Sequence, residues 1–265
     1  MTIRGVLFDV GETLLAPHPS FPELFSEVMG GLGFQISPDD VEEALATVAP
    51  SVGDAIEAST STWSTSREES RRFWRGLYGA MLEHWGIPDE AGEIFDVLYG
   101  RFTSYESYRL FPDVIPTLTA CRGADLTLGI VSNFEEWLEG MLIEMEVAPF
   151  FDVMVISGKE GIEKPDPAIF RLALERLGMA PEEVVFVGDH PRVDVAAATR
   201  IGMTGVLVDR AGRYAGFRGR RPPEWHRAQL SRRRARMSRA GFTMYCGLAC
   251  ARWVLWYVTC ALPSP

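Results

Sequence analysis

After residue 113, apolar runs of strand length alternate with stretches of helical periodicity. This alternation constrains the fold more than any other feature of the chain. The pattern predicts a helix (114–121), strand (126–131), helix (135–145), strand (153–157), helix (168–177), strand (184–187), helix (193–201) and strand (205–208). Strand–helix–strand repeats close as right-handed crossovers, which make the strands parallel and cover both faces of the sheet. The apolar run 3–9 supplies one more buried strand, which delivers Asp9 to its end. The expectation is an α/β fold on a core sheet of about five parallel strands.

Between the first strand and the alternating region the pattern is helical throughout. Ser20 and Glu23 have capping-box spacing and open a helix with Leu24, Phe25, Val28, Met29 and Leu32 on one face, stopped at Gly33. Ser37-Pro38-Asp39-Asp40 opens a second helix, with proline at its first position and acids against its positive end. Ser66 and Glu69 open a third, running to about Trp85, and a fourth is expected over 90–102. Trp74 and Trp85 share a face of the third helix and read as packing; His18 and His84 read as surface or packing. Residues 1–15 and 110–209 are therefore expected to form the core, with 16–109 an inserted α-helical cap.

The net charge of −10 over 265 residues hides a division. Residues 1–209 carry 35 acids and 14 bases, whereas 210–265 carry 12 bases and the single acid Glu224. Cys121 is alone in the first part, which argues for a reduced, cytoplasmic setting without a disulfide framework. The stretch 212–239 is rich in Arg, Gly and Pro and lacks an apolar period, so it reads as disordered. The stretch 241–262 is apolar over membrane-spanning length, but Arg252 sits near its middle. Three readings compete for 210–265: a non-native C-terminus, a membrane anchor, or a basic interaction tail. The first is preferred, so neither membrane contact nor a nucleic-acid partner is expected.

The chemistry-bearing residues collect at strand ends. Asp9, Ser132, Lys164 and Asp189 each lie at or just after the C-terminal end of an expected strand, the edge where open parallel sheets bind ligands. Asp9 and Asp189 are hard oxygen donors that suit Mg²⁺ together with substrate phosphate and water. Asp194 either joins that site or serves as an acid near a helix N-terminus. Ser132 and Asn133 supply donors for a phosphate. Lys164, one of only two lysines in the chain, can hold a carboxylate ionised and neutralise a phosphate. A carboxylate attacking phosphorus would give an aspartyl-phosphate. His190 reads as a loop residue.

Four segments, Asp9-Val10-Gly11-Glu12-Thr13-Leu14, Val131-Ser132-Asn133, Lys164-Pro165-Asp166-Pro167 and Val187-Gly188-Asp189-His190-Pro191-Arg192-Val193-Asp194, resemble the ordered motifs of the haloacid dehalogenase-like hydrolases. The resemblance spans roughly 3–209. It implies a Rossmann-like core with a helical cap inserted after the first motif. By the same resemblance Asp9 is the nucleophile, Ser132 binds the transferring phosphoryl group, and Lys164 stabilises both. Asp189 holds Mg²⁺ with Asp194 in support, and the Gly11 carbonyl is a further ligand. The departure is Gly11 itself, where family phosphatases usually carry a second aspartate as general acid and base. Glu12 is adjacent but out of register. Dehalogenases of the family carry an aromatic at this position and use no metal, so Gly11 beside retained acids favours phosphorus over halide chemistry. The expected function is Mg²⁺-dependent hydrolysis of small phosphorylated metabolites. The alternatives are 2-haloacid dehalogenation, or a phosphate-binding module with weak turnover.

Overall fold

The computed structural model describes residues 2–57, 62–214 and 244–246. β1 (Gly5–Phe8) is followed by β2 (Leu15–Pro17) and then by four helices: α1 (Phe21–Gly31), α2 (Pro38–Glu57), α3 (Arg67–His84) and α4 (Glu93–Phe102). The chain returns through β3 (Tyr108–Leu110) into α5 (Val114–Gly123), β4 (Thr127–Ser132), α6 (Leu138–Glu144), β5 (Val153–Ile156) and α7 (Ser157–Glu160). It continues through α8 (Pro167–Leu177), β6 (Val184–Gly188), α9 (Ala197–Arg200), β7 (Thr204–Val208) and β8 (Met244–Cys246). The main sheet has the order β5-β4-β1-β6-β7-β8, and every pairing in it is parallel. β1 lies inside the sheet, so Asp9 emerges with strands on either side.

Side-chain alternation divides the core between the two faces. Val6, Phe8, Leu128, Ile130, Val185 and Val187 pack on one side, with Leu118 of α5 and Met141 of α6. Leu7, Val131 and Phe186 pack on the other, with Phe170 of α8 and with Ala197 and Ala198 of α9. Burial on both faces is why β1 and β6 read as continuous apolar runs rather than alternating ones. Phe170 and Phe186 meet edge-on with ring centroids 5.1 Å apart. Truncating Phe186 to alanine there would cost about 3–5 kcal/mol through lost burial and the cavity left behind.

The cap has its own core, joining Leu24 and Phe25 of α1, Val41 of α2, Tyr78 and Met81 of α3, and Leu98 and Phe102 of α4. Trp74 and Trp85 pack against it, as their shared face implied. The expected N-caps form: Ser20 Oγ accepts from Glu23 N at 3.3 Å, and Ser66 Oγ accepts from Glu69 N at 3.2 Å. A groove of ≈ 680 Å³ lies within the cap, lined by Arg75, Leu82, Glu83, Asp89 and Phe95 among others, away from the sheet edge.

The structure differs from the sequence pattern in several places. β2 and β3 pair antiparallel and form the ribbon joining core to cap. Three residues each are too few to show alternation. α6 starts at Leu138 rather than at 135, because Phe134 and Glu135 are engaged in loop contacts. The expected helix over 193–201 is a widened π turn, Pro191–Ala196, running into the short α9. β8 pairs with β7 over three residues and so adds a parallel strand beyond the five expected. The readings of 215–243 and 247–265 as disordered, membrane-associated or basic tail lie outside the described residues. Among the described residues, no helix is long and apolar enough to cross a membrane.

Candidate active site

Asp9 follows β1 directly, and its N–H donates to Val187 O at 2.8 Å, which extends the strand ladder by one bond. The carboxylate is buried at 6% exposure. Its Oδ1 accepts from Lys164 Nζ at 2.6 Å and from Ser132 Oγ at 3.1 Å. Its Oδ2 accepts from Thr13 Oγ1 at 3.2 Å. Lys164 Nζ also donates to Asp194 Oδ1 at 2.7 Å, so one buried ammonium bridges two carboxylates. Asp194 reaches this point because the widened turn folds it back under the end of β6, where its Oδ2 accepts from His190 N at 2.9 Å. A Cβ on Gly188 would come within 2.5 Å of the Asp194 carboxylate, so only glycine fits there.

Asn133 and Lys164 hold each other's loops in register. Asn133 Nδ2 donates to Lys164 O at 2.8 Å, and Lys164 N donates to Asn133 Oδ1 at 2.7 Å. The amide expected to face phosphate is thus spent, in this arrangement, on placing the lysine. Ser132 contacts Asp9 directly.

One carboxylate oxygen from each of Asp9, Asp189 and Asp194 lies within 4.8 Å of the others, an arrangement able to hold a metal ion. Asp189 is half-buried and accepts no hydrogen bond among the described residues. Burial raises its pKa well above the ordinary carboxylate value, and the neighbouring Asp194 and Asp9 push it the same way. Burial also raises the Asp9 pKa, opposed by the Lys164 charge and reinforced by Asp194. Burial works against the Lys164 ammonium, but the charges of Asp194 and Asp9 outweigh it and hold its pKa above the usual lysine value. Three carboxylates around one ammonium make a site short of positive charge.

Gly11 sits in the turn after Asp9, outside the left-handed region, and a Cβ built on it meets nothing within 4 Å. Glu12 takes a left-handed conformation (φ 54°), and its Oε2 lies 3.4 Å from Arg213 Nη2. Burial raises the Glu12 pKa against the pull of Arg213 and Arg210.

A family model described as haloacid dehalogenase-like hydrolase matches residues 3–202. The chain belongs to this family. It is 33% identical over 217 residues to haloacid dehalogenase-like hydrolase domain-containing protein 3 of Danio rerio, covering 78% of this chain and 86% of that one. It is 32% identical over 225 residues to a phosphoserine phosphatase of Thermus thermophilus, covering 78% and 89%. The fold matches that of a magnesium-bound Bacillus subtilis hydrolase, YfnB, with a TM-score of 0.66 at 19% identity over 78% of this chain and 89% of that one. This chain is thus a haloacid dehalogenase-like hydrolase with phosphatase relatives.

Two carboxylates fasten the cap of this hydrolase to the loops that carry the site. Glu163 immediately precedes Lys164. Its Oε2 accepts from Ser64 N at 2.9 Å and from Ser64 Oγ at 2.7 Å, and its carboxylate also accepts from Trp63 N at 3.2 Å. Ser157 Oγ lies 2.7 Å from Ser64 Oγ and accepts from Phe134 N at 2.9 Å. Glu135 is buried and accepts from Ser70 Oγ of α3 at 2.6 Å and from Tyr99 Oη of α4 at 2.7 Å. Burial and the Glu135 carboxylate push the Tyr99 phenol far above its usual value, so it stays a donor. Sequence reasoning assigned none of Ser64, Glu135, Ser157 or Glu163 a role at the site, with residues 135 and 157 appearing only as element bounds. The position of Glu163 beside Lys164 was the one local signal.

Proposed function

We propose that this hydrolase is a Mg²⁺-dependent phosphatase of small phosphorylated metabolites that acts through an aspartyl-phosphate on Asp9. The observation that carries the reading is the 2.6 Å contact of Asp9 with Lys164 inside a cluster of three carboxylates. Asp9, Asp189 and Asp194 are hard oxygen donors with excess negative charge, and among the described residues the Asp189 carboxylate accepts no hydrogen bond, so they fit Mg²⁺. Asp9 and Asp189 would hold the ion, with Asp194 in support. When bound, it supplies charge neutralisation of the phosphate.

Asp9 is pinned on both oxygens, and this orientation lowers the entropic barrier to attack. An Asp9 oxygen forms the bond to phosphorus, the P–O ester bond breaks, and the electron pair leaves on the substrate oxygen. Lys164 and Ser132 offer the phosphoryl oxygens an N–H and an O–H as Asp9 gives up its negative charge. Water then cleaves the acyl phosphate, releasing orthophosphate and restoring the carboxylate. Position 11 has no side chain to protonate the leaving oxygen, and Glu12 faces Arg213. The leaving group therefore takes its proton from solvent, which favours substrates whose leaving oxygen is stable as an anion.

The test is phosphate release from an aryl phosphate and a metabolite panel, with and without Mg²⁺. Turnover that needs Mg²⁺ and is lost in Asp9→Asn supports the reading. Metal-independent halide release from a 2-haloacid would replace it with dehalogenation. Tight binding of a phosphate mimic without hydrolysis would replace it with a binding module.

A further inference from the structure

The turn that carries the site is held from outside by a residue just beyond the last core strand. Arg210 follows β7 by two residues. Its Nη2 donates to Thr13 O at 2.7 Å, and its Nη1 donates to Asp113 Oδ1 at 2.8 Å. Its guanidinium lies over the Phe111 ring at 4.0 Å from the centroid. Thr13 is the residue whose hydroxyl donates to Asp9 Oδ2. Phe111 N donates to Leu14 O at 3.0 Å, which ties the same turn to the segment where the chain re-enters the core from the cap. One side chain therefore clamps three segments: the turn after Asp9, the return from the cap, and the end of β7.

Stability alone does not account for this clamp. Arg210 Nε and Asp113 Oδ2 are both buried without a hydrogen-bond partner among the described residues. An ion pair that leaves one polar atom orphaned at each end recovers little of its desolvation cost. What the pair achieves is geometric. A planar fork with two donors fixes a carbonyl and a carboxylate relative to each other, which a lysine's point charge cannot do.

We propose that Arg210 is a positioning residue for the nucleophile, acting through Thr13. By fixing the Thr13 carbonyl it holds the Thr13 hydroxyl on Asp9 Oδ2, leaving the Oδ1 side to Lys164 and Ser132. The segment 210–214 then belongs functionally to the core: Asp209 accepts from the backbone N–H groups of Arg213 and Tyr214 at 2.9 and 3.0 Å, and Arg213 meets Glu12 on the same turn.

The experiment separates the Thr13 contact from the ion pair, and its activity arm rests on the phosphatase reading above. Asp113→Asn in the full chain removes the charge partner but keeps the Arg210–Thr13 bond. The double variant Arg210→Met/Asp113→Asn removes that bond too, keeps a stem against Phe111, and leaves no buried charge unpaired. The first readout is amide hydrogen exchange at Thr13, Leu14 and Leu15, whose N–H groups all donate to Val10 O. The second is kcat and KM on an aryl phosphate. Exchange at these amides should be about tenfold faster in the double variant than in Asp113→Asn, the size expected for losing one charge-assisted bond. The kcat should fall by about tenfold with KM within about twofold. Unchanged exchange and kcat in the double variant would overturn the proposal, as would an equal kcat loss in Asp113→Asn alone. If the unaltered chain shows no phosphatase activity, the functional reading fails, while the exchange comparison still decides the clamp.

Discussion

Replacing Gly11 with aspartate tests the missing proton donor directly. A Cβ at this position meets nothing within 4 Å and the backbone there is not left-handed, so the substitution brings neither clash nor strain. Its cost is electrostatic: a fourth carboxylate joins Asp9, Asp189 and Asp194 around the single Lys164 ammonium, and Mg²⁺ at saturating concentration should offset it. A positioned general acid is worth about 10²–10⁴-fold, and the lower bound corresponds to about 2.7 kcal/mol of barrier. That gain is available only where the leaving oxygen needs a proton. An alkyl phosphate releases a strongly basic alkoxide and should gain at least about 10²-fold in kcat, whereas a nitrophenyl phosphate releases a stable phenolate and should gain less than about tenfold. The assay is initial-rate phosphate release from both substrates by the unaltered chain and by Gly11→Asp. Equal gains on the two substrates, or no gain on the alkyl phosphate, would refute the argument that position 11 lacks only an acid–base group.

Asp189 gives a pH prediction. Its folded-state pKa lies above the ordinary value of 3.8, so protonation favours the folded chain. Metal-free protein should lose stability as pH rises from about 4 through the raised folded-state value, by at most about 1.4 kcal/mol per pH unit. Thermal melts in chelator should therefore show Asp189→Asn melting above the unaltered chain at pH 7, with the difference gone below about pH 4; parallel curves would contradict this. Lys164→Met leaves two buried carboxylates without their cation and should cost about 3–5 kcal/mol in denaturant unfolding at pH 7, where a loss under 1 kcal/mol would show that the ammonium is not paired as described. Glu163→Gln keeps the shape of the cap attachment but weakens its charge-assisted bonds to Ser64. It should speed amide exchange at Trp63 and Ser64 by up to about tenfold and raise KM more than it lowers kcat.

The alternation of strands and helices, most of the cap's amphipathic faces and the strand-end placement of Asp9, Ser132 and Asp189 were legible, because each depends on residue type at short spacing. Lys164 instead sits eight residues beyond β5 in the loop between α7 and α8, and Leu32, expected on the packed face of the first helix, is exposed. Asp194 could not be decided from spacing alone. Its return to Lys164 depends on the π turn and on the bare Cα of Gly188, and neither leaves a periodic signature. The β2–β3 ribbon was too short to alternate. Arg210 was grouped on composition with a C-terminal stretch read as non-native, yet its contacts with Thr13 and Asp113 span 197 and 97 positions. Ser64, Glu135 and Glu163 likewise act across the cap boundary, where pairing is set by tertiary approach and not by local pattern.

The attachment through Glu163 limits how freely this protein's parts can be recombined. Grafting a relative's 18–107 onto this core would leave Glu163, Ser157 and Glu135 facing unfamiliar surfaces, one of them a single peptide bond from the lysine that steadies Asp9. A new substrate range acquired by exchanging the insert would therefore have to be inherited together with positions 135, 157 and 163. In this hydrolase the insert and its three anchoring positions pack as one unit.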